Sequence, residues 1–363
     1  MEGELKNLIK VWLLVLASLC YTYFIASKIP KGKLRLLSLI PIFCLFTTLP
    51  LSLTTVFPTG ITALFITWLA NFKLLLFAFD LGPLSCDPPK SLPLFISIAC
   101  LPIKIKQNDK YPSHQNQQKH IKSSPILKSP PKLSLNLPTK ILLFALLMAN
   151  NDYKQHMHPN LVLGLYCCMI YFLVDIVLGL CNTIVRATLG IELELPSDEP
   201  YFSTSLQDFW GRRWNLMVTN ILRHTVYKPV RSASETVLFR QQQQKKWAPL
   251  PAVLAAFIVS GFMHELLFFY VTRVTPTWEV TCFFVLHGVC LVVEFWVKNV
   301  LLEHGFWLHW VVAAPLTIGF VVVTAAWLFF PPLLENGADA RAIGECKVVV
   351  KFLTKMLWTL KSL

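Results

Sequence analysis

The sequence predicts an all-α fold, a polytopic bundle of about seven to eight membrane-crossing helices. Three observations lead there. The chain is 55% hydrophobic and only 15% charged, with a mean hydropathy of +0.55, whereas soluble domains carry about 25% charged residues. Apolar stretches recur along it, each close to the ~20 residues that a helix needs to cross ~30 Å of hydrocarbon. Lipid offers no partners to free backbone groups, so helices rather than open sheets must carry these stretches.

The first stretch, 8–25, follows Glu2 and Glu4, which spoil the positive leader of a secretory signal, so it is expected to be a retained helix. Stretches 36–56 and 61–79 come next. A segment at about 101–139 then reads as a linker, with Pro102, Pro112, Pro125, Pro130, Pro131 and Pro138, three glutamines (Gln115, Gln117, Gln118) and repeated lysines; such a composition cannot bury a core. The apolar run 141–149 is too short to span. Extended through Asn150, it is a tilted or partial crossing, a re-entrant piece or a lid. Stretches 161–184, 252–271, 280–297 and 307–330 follow, and the segment 346–363 leaves the total open. No internal repeat is visible, so the inverted-repeat signature of many transporters is missing. Residues 1–363 read as a single membrane domain with one basic Pro/Gln-containing loop.

Charge is distributed in three basic groups: Lys28 to Arg35, Lys104 to Lys140, and Arg212, Arg213, Arg223, Lys228, Arg231, Arg240, Lys245 and Lys246. The positive-inside bias places all three on the cytosolic side. The net charge of +13 flanks membrane spans and accompanies no nucleic-acid-binding motif. It fits anionic lipid headgroups or an anionic cytosolic substrate. The ten cysteines lack zinc-ligand spacing and read as small buried hydrophobes, so no metal site is expected.

Two places carry chemistry. His264 sits inside the apolar run 253–270, with Glu265 directly after it. A charged group at mid-membrane depth costs roughly 2.5–3.5 kcal/mol, so an ionisable residue there is a functional candidate by default. It is either a neutral imidazole packed between helices or a catalytic base facing a buried chamber. On a helix, Ser260, Gly261, His264 and Phe268 share one face, where small residues let a substrate chain or a neighbouring helix approach closely. Glu265 points about 100° away and is expected to anchor the helix.

The second place is the segment 200–215, too polar to span and too aromatic for a plain loop. Its tryptophans suit the membrane–water interface. Ser205 is placed to cap a short helix starting at Leu206, with Asp208 in its first turn. Arg212 and Arg213 suit lipid phosphates or a phosphorylated substrate, because the guanidinium is a planar fork of donors. Taken alone, the segment is equally an amphipathic interfacial anchor.

Phe209-Trp210-Gly211-Arg212-Arg213-Trp214-Asn215, followed later by Ser260-Gly261-Phe262-Met263-His264-Glu265, resembles the membrane-bound O-acyltransferase superfamily, and within it the plant wax ester synthase (long-chain-alcohol O-fatty-acyltransferase) group. Similarity runs from the N-terminus through 68–77 and 204–218 to 283–288. The resemblance implies transfer of a fatty acyl group from acyl-CoA, a co-substrate with no further cofactor, to the hydroxyl of a long-chain fatty alcohol. It implies a multi-pass protein of the endoplasmic reticulum membrane with a buried catalytic chamber. His264 would be the general base and Asn215 the second functional polar residue, with Trp210, Arg212, Arg213, Trp214, Ser260 and Gly261 binding substrate. A plant sterol acyltransferase is similar, which keeps a sterol as the alternative acceptor. His224 stands where proline is expected, Ser197-Asp198-Glu199-Pro200 is unusually acidic, and Phe202-Ser203 replaces Leu-Ala; these departures bear on substrate preference.

The chemistry agrees. Forming an ester from a thioester requires the attacking hydroxyl to lose its proton, and an imidazole, with an ordinary pKa near about 6.5, can take it. Asn215 offers a neutral donor for the thioester carbonyl in a dry site. Of the remaining intramembrane polar residues, His287 is expected to be packed and satisfied, Lys73 to snorkel to the cytosolic interface, and Asp175 and Glu294 to pair with another helix. A transporter or a non-catalytic scaffold of the same fold are the competing classes. The lack of repeats weighs against the first, and the presence of both Asn215 and His264 against the second.

Overall fold

The computed structural model describes residues 2–85, 91–106, 135–238, 247–303 and 308–361. Most of the linker expected at 101–139 and the glutamine run at 241–244 lie outside the described residues, as does the start of the stretch 307–330.

Among the described residues, seven helices are long and apolar enough to cross a membrane: α1 (Glu2–Lys28), α2 (Lys33–Ser52), α3 (Val56–Ala78), α6 (Pro159–Leu189), α9 (Pro249–Thr272), α10 (Glu279–Lys298) and α11 (Trp310–Phe329). They correspond one for one to the seven apolar stretches of the sequence. The shorter helices α4 (Leu92–Cys100), α5 (Leu137–Asn150), α7 (Leu216–Leu222) and α8 (Lys228–Val237) lie between them, and the more polar α12 (Ala338–Lys361) follows the last span. Among the described residues the only β pairing is an isolated antiparallel bridge between Ile105 and Leu193. The protein is a polytopic helical membrane protein.

Helix ends follow local chemistry. Pro249 sits in the first turn of α9, where its missing N–H costs nothing. Gly190 ends α6 in a left-handed conformation, φ 65°. Glu345 of α12 accepts from the Val56 and Phe57 amides at 2.6 and 2.9 Å, capping α3. Glu4 accepts from the Thr54 and Thr55 amides at 2.8 and 3.0 Å. One loop is thus held by helices from both ends of the chain.

Several ionisable residues inside the spans are engaged by other parts of the chain. Lys73 does not reach the interface as its position suggested. It is 2% exposed and donates to the carbonyls of Ile98 and Leu101 at 2.6 and 2.7 Å. A donor is favoured there because those carbonyls lie at the end of α4, where the helix leaves its last carbonyls without backbone partners. The sequence reading overlooked α4, since nine residues cannot span. Asp175 of α6 accepts from Lys140 of α5 at 2.5 Å and from Ser197. Glu294 of α10 accepts from the Leu206 amide at 2.8 Å, and Glu265 accepts from the Thr281 amide at 3.1 Å, where α10 begins.

Two apolar clusters form the interior. One joins α1–α4 with Val185 and Ile221. The other joins Tyr166, Val280, Phe283, Phe284, Ala325, Phe330 and Ile343. Helix α9 packs most extensively on α10, and glycine makes this possible. A Cβ on Gly261 would lie 3.0 Å from the Thr281 Cα, and one on Gly288 would lie 3.0 Å from the Phe257 Cβ. Because the first obstacle is backbone, Gly261→Ala should force the helices apart and cost about 1–3 kcal/mol. A lower unfolding midpoint in detergent is the expected reading, and an unchanged midpoint would show that the interface gives way freely.

Candidate active site

The segment 196–216 closes on itself: the Leu216 amide donates to the Pro196 carbonyl and the Asp198 amide to the Arg213 carbonyl, both at 2.9 Å. Ser205 caps the short helix, accepting from the Asp208 amide at 3.1 Å, while Asp208 accepts back from the Thr204 amide at 3.3 Å. This reciprocal pair satisfies donors that a helix start leaves free. Phe209–Arg213 then forms a wide π-helical turn, closed by the Trp214 amide on the Phe209 carbonyl at 2.8 Å. Trp214 stacks on Phe209, centroids 5.7 Å apart and planes 9° apart. Asn215 follows at φ 39°, a left-handed conformation that asparagine adopts more readily than most residues. Its Oδ1 accepts from the Val218 amide at 3.3 Å, capping α7.

His264 projects from α9 at the seam between the two clusters. Its ring stacks on Phe284 (4.2 Å, 26°) and meets Trp68 (5.0 Å) and Phe329 (5.9 Å) edge-on. Its Nδ1 lies 2.7 Å from the Ser260 carbonyl. A carbonyl only accepts, so Nδ1 carries a proton, and in the neutral ring Nε2 keeps its lone pair. His287 is arranged the other way round. It is fully buried, its Nδ1 accepts from the Trp210 indole at 2.9 Å, and its Nε2 lies 2.8 Å from the Thr324 hydroxyl. That hydroxyl donates onward to the Phe320 carbonyl at 2.8 Å. With both nitrogens engaged, His287 is the packed, satisfied histidine that the sequence suggested, and it fixes the Trp210 ring.

Two cavities meet at His264. One, of about 350 Å³, is walled by Trp68, Gln207, Asn215, Arg223, Tyr227 and Ser260 among others. The other, of about 220 Å³, is walled chiefly by apolar side chains of α6, α10 and α11, including Ile170, Phe283 and Phe329. His264, Trp210, Trp214 and Phe284 border both.

The residues singled out in the sequence divide accordingly. His264, Asn215, Trp210, Trp214 and Ser260 come together on the first cavity. Gly261 serves helix packing instead. Neither arginine of the motif borders either cavity. Arg212 is exposed, and Arg213 is a clamp: its Nε donates to Asp208 at 2.8 Å and its Nη1 to the Asp198 and Glu199 carbonyls at 3.2 Å. The arginine on the cavity wall is Arg223. Beside it, burial, reinforced by Lys228, Arg223 and Lys104, holds the His224 imidazole below its ordinary pKa. Trp68, Gln207, Tyr227 and Phe284 were not recognised in the sequence as wall residues. Trp68 carried one usable signal, an indole in mid-span where tryptophan is usually found at the interface.

Residues 196–286, from this closed loop to the turn before His287, match the profile of the membrane bound O-acyl transferase family. The chain is 46% identical over 353 residues, 96% of its length and 97% of the relative's, to the Arabidopsis thaliana protein named probable long-chain-alcohol O-fatty-acyltransferase 1. It is 43% identical to the long-chain-alcohol O-fatty-acyltransferase of Simmondsia chinensis, covering 98% of this chain and 97% of that one. Acyl-CoA–sterol O-acyltransferase 1 of Arabidopsis thaliana is 39% identical, with 97% of each chain covered. The chain therefore belongs to the membrane bound O-acyl transferase family and is a multi-pass acyltransferase akin to the plant long-chain-alcohol O-fatty-acyltransferases.

Proposed function

We propose that the protein transfers a fatty acyl group from acyl-CoA to the hydroxyl of a long-chain fatty alcohol, forming a wax ester, with His264 as general base. The observation that carries this reading is the place of His264 at the junction of two cavities with its Nδ1 committed to the Ser260 carbonyl, which leaves Nε2 as the nitrogen of a neutral ring that can take a proton. The alcohol gives its proton to Nε2 as its oxygen attacks the thioester carbonyl carbon. Negative charge develops on the carbonyl oxygen, and the Asn215 amide N–H group is the donor available to it, since its Oδ1 is already engaged in the cap. When the carbon–sulfur bond breaks, the coenzyme A thiolate recovers the proton from His264, and the ester leaves.

The polar wall of Arg223, Gln207 and Tyr227 suits the coenzyme A side of the donor, and the apolar second cavity suits a hydrocarbon chain. With the Arg213 fork engaged by the loop, Arg223, which borders the first cavity, is better placed for phosphate recognition than Arg213. Charge-assisted contacts to phosphate are among the stronger hydrogen bonds, and about 1.4 kcal/mol is a tenfold change. Arg223→Ala should raise the Michaelis constant for acyl-CoA about tenfold and leave that for the alcohol nearly unchanged. Kinetics with each substrate varied in turn check this, and equal effects on both constants would count against it.

The sterol acyltransferase relative makes a sterol the second reading for the acceptor. Membranes carrying the protein, given labelled acyl-CoA with fatty alcohol, sterol or diacylglycerol, decide between them. We place the protein in the endoplasmic reticulum membrane with its basic loops facing the cytosol, where acyl-CoA is supplied. A tag inserted near Gln117 should be accessible to antibody in intact microsomes, and protection of the tag would reverse the orientation.

A further inference from the structure

Neither His287 nor Thr324 borders the cavities at His264, but together they hold a residue that borders both, Trp210. Trp210 is fixed at two points. Its carbonyl accepts from the Thr219 hydroxyl at 3.0 Å, and its indole N–H donates to His287 Nδ1 at 2.9 Å. An indole nitrogen only donates, so His287 Nδ1 carries no proton. The imidazole is therefore neutral, and its proton sits on Nε2, 2.8 Å from the Thr324 Oγ1. The Thr324 hydroxyl commits its own proton to the Phe320 and Val321 carbonyls, at 2.8 and 3.1 Å, which leaves its oxygen to accept. Every donor from Trp210 through His287 to Thr324 has an acceptor, and the chain runs in one direction.

This chain ties the turn Phe209–Arg213 to α10 and, through it, to α11. It also reaches the reacting centre. Trp210 packs on Phe284, ring centroids 5.7 Å apart, and Phe284 stacks on the His264 ring at 4.2 Å. We infer that Thr324 is a positioning residue for acyl transfer: by accepting from Nε2 it leaves His287 Nδ1 free to hold the Trp210 indole, and so keeps Trp210 and Phe284 set against His264. The inference rests on the acyl-transfer reading above. His287 itself has no nitrogen left to exchange a proton with a substrate, which divides the two intramembrane histidines into one base and one support.

The proton on one imidazole nitrogen is set by the hydrogen bond that the other makes. Without the Thr324 oxygen, the Nε2–H of His287 loses its acceptor. Moving the proton to Nδ1 would instead set N–H against N–H at Trp210. Either arrangement leaves a buried donor unpaired, which folded proteins rarely tolerate. Trp210 is the partner with room to move, because it borders a cavity on each side. A misplacement of about 1 Å near reacting groups can cost about 100-fold in rate. A smaller shift passed through Phe284 should cost less, roughly tenfold.

Substitutions on two elements test this, with hexadecanoyl-CoA and hexadecanol as substrates in membranes and rates normalised to protein. Thr324→Val and Thr324→Ala both remove the acceptor, one at nearly constant shape and the other with less bulk. Each should lower kcat roughly tenfold, with smaller changes in either Michaelis constant, whereas Thr324→Ser keeps the hydroxyl and should recover most of the loss. Trp210→Phe keeps a ring but removes the donor, and should lose about as much. Thr324→Val added to Trp210→Phe should then cost nothing further, because no indole is left for His287 to hold. Were Thr324 only a packing residue between α10 and α11, the two losses would multiply. Wild-type kcat in both Thr324→Val and Thr324→Ala, a serine variant as slow as the valine one, or multiplying losses would overturn the inference. A wild-type protein that makes no ester would fail the underlying reading, which is a separate result.

Discussion

Replacing His264 by alanine should reduce acyl transfer by roughly 10²–10⁴-fold, the usual worth of a general base, while the protein accumulates at near wild-type abundance. The fold tolerates the change for identifiable reasons. Among the described residues the only hydrogen bond from the ring goes to the Ser260 carbonyl, which lies one turn earlier in the same helix and retains the helical backbone pattern. The ring already borders two cavities, so its removal enlarges existing space rather than opening a sealed core. The loss in packing is confined to contacts with Phe284, Trp68 and Phe329. Initial rates normalised to protein in membranes measure the effect. Retention of more than about a tenth of wild-type turnover would contradict a general-base role.

Asn215 should give the second largest effect, and two substitutions separate its two tasks. Asn215→Ala removes the cap on the Val218 amide, which costs about 0.5–2 kcal/mol, and places a Cβ residue without a polar side chain at φ 39°. Asn215→Gly relieves the backbone, since glycine adopts positive φ without penalty and costs a cap position only a few tenths of a kcal/mol. If the side-chain amide stabilises the developing oxyanion, both variants lose about 10²–10³ in kcat, although the glycine variant should unfold at nearly the wild-type temperature. A glycine variant with near wild-type turnover would make Asn215 a helix cap only.

The spans were legible because each is a near-continuous apolar run bounded by charge or proline, and lipid admits little else. His264 was legible because an ionisable group in such a run stands out, and Asn215 because of the motif around it. Of the walls, Trp210, Trp214 and Ser260 were legible through the motifs; the rest were not. Trp68, Arg223 with Tyr227, and Phe329 lie on three separate π-helical turns, Ala63–Ala70, Arg223–Tyr227 and Ala325–Phe329. An extra residue in the turn breaks the 3.6-residue period on which a helical face is read, and such turns gather at functional sites. A wide turn of the same kind at Phe209–Arg213 explains why Arg212 and Arg213 could not be separated in the sequence, one exposed and the other clamped to Asp208. Helix α4 was missed for a different reason. It stands on contacts distant in the chain, above all the buried Lys73 amino group on its last carbonyls, and length alone said nothing in its favour.

The most direct measurement is acyl transfer by the purified protein in lipid nanodiscs, wild type beside His264→Ala, with labelled acyl-CoA and a choice of hexadecanol, sterol or diacylglycerol. Labelled ester should form with the fatty alcohol, one coenzyme A thiol should be released for each ester made, and both signals should collapse in the His264→Ala protein. Absence of ester with the fatty alcohol, or equal ester formation by the two proteins, would contradict the account.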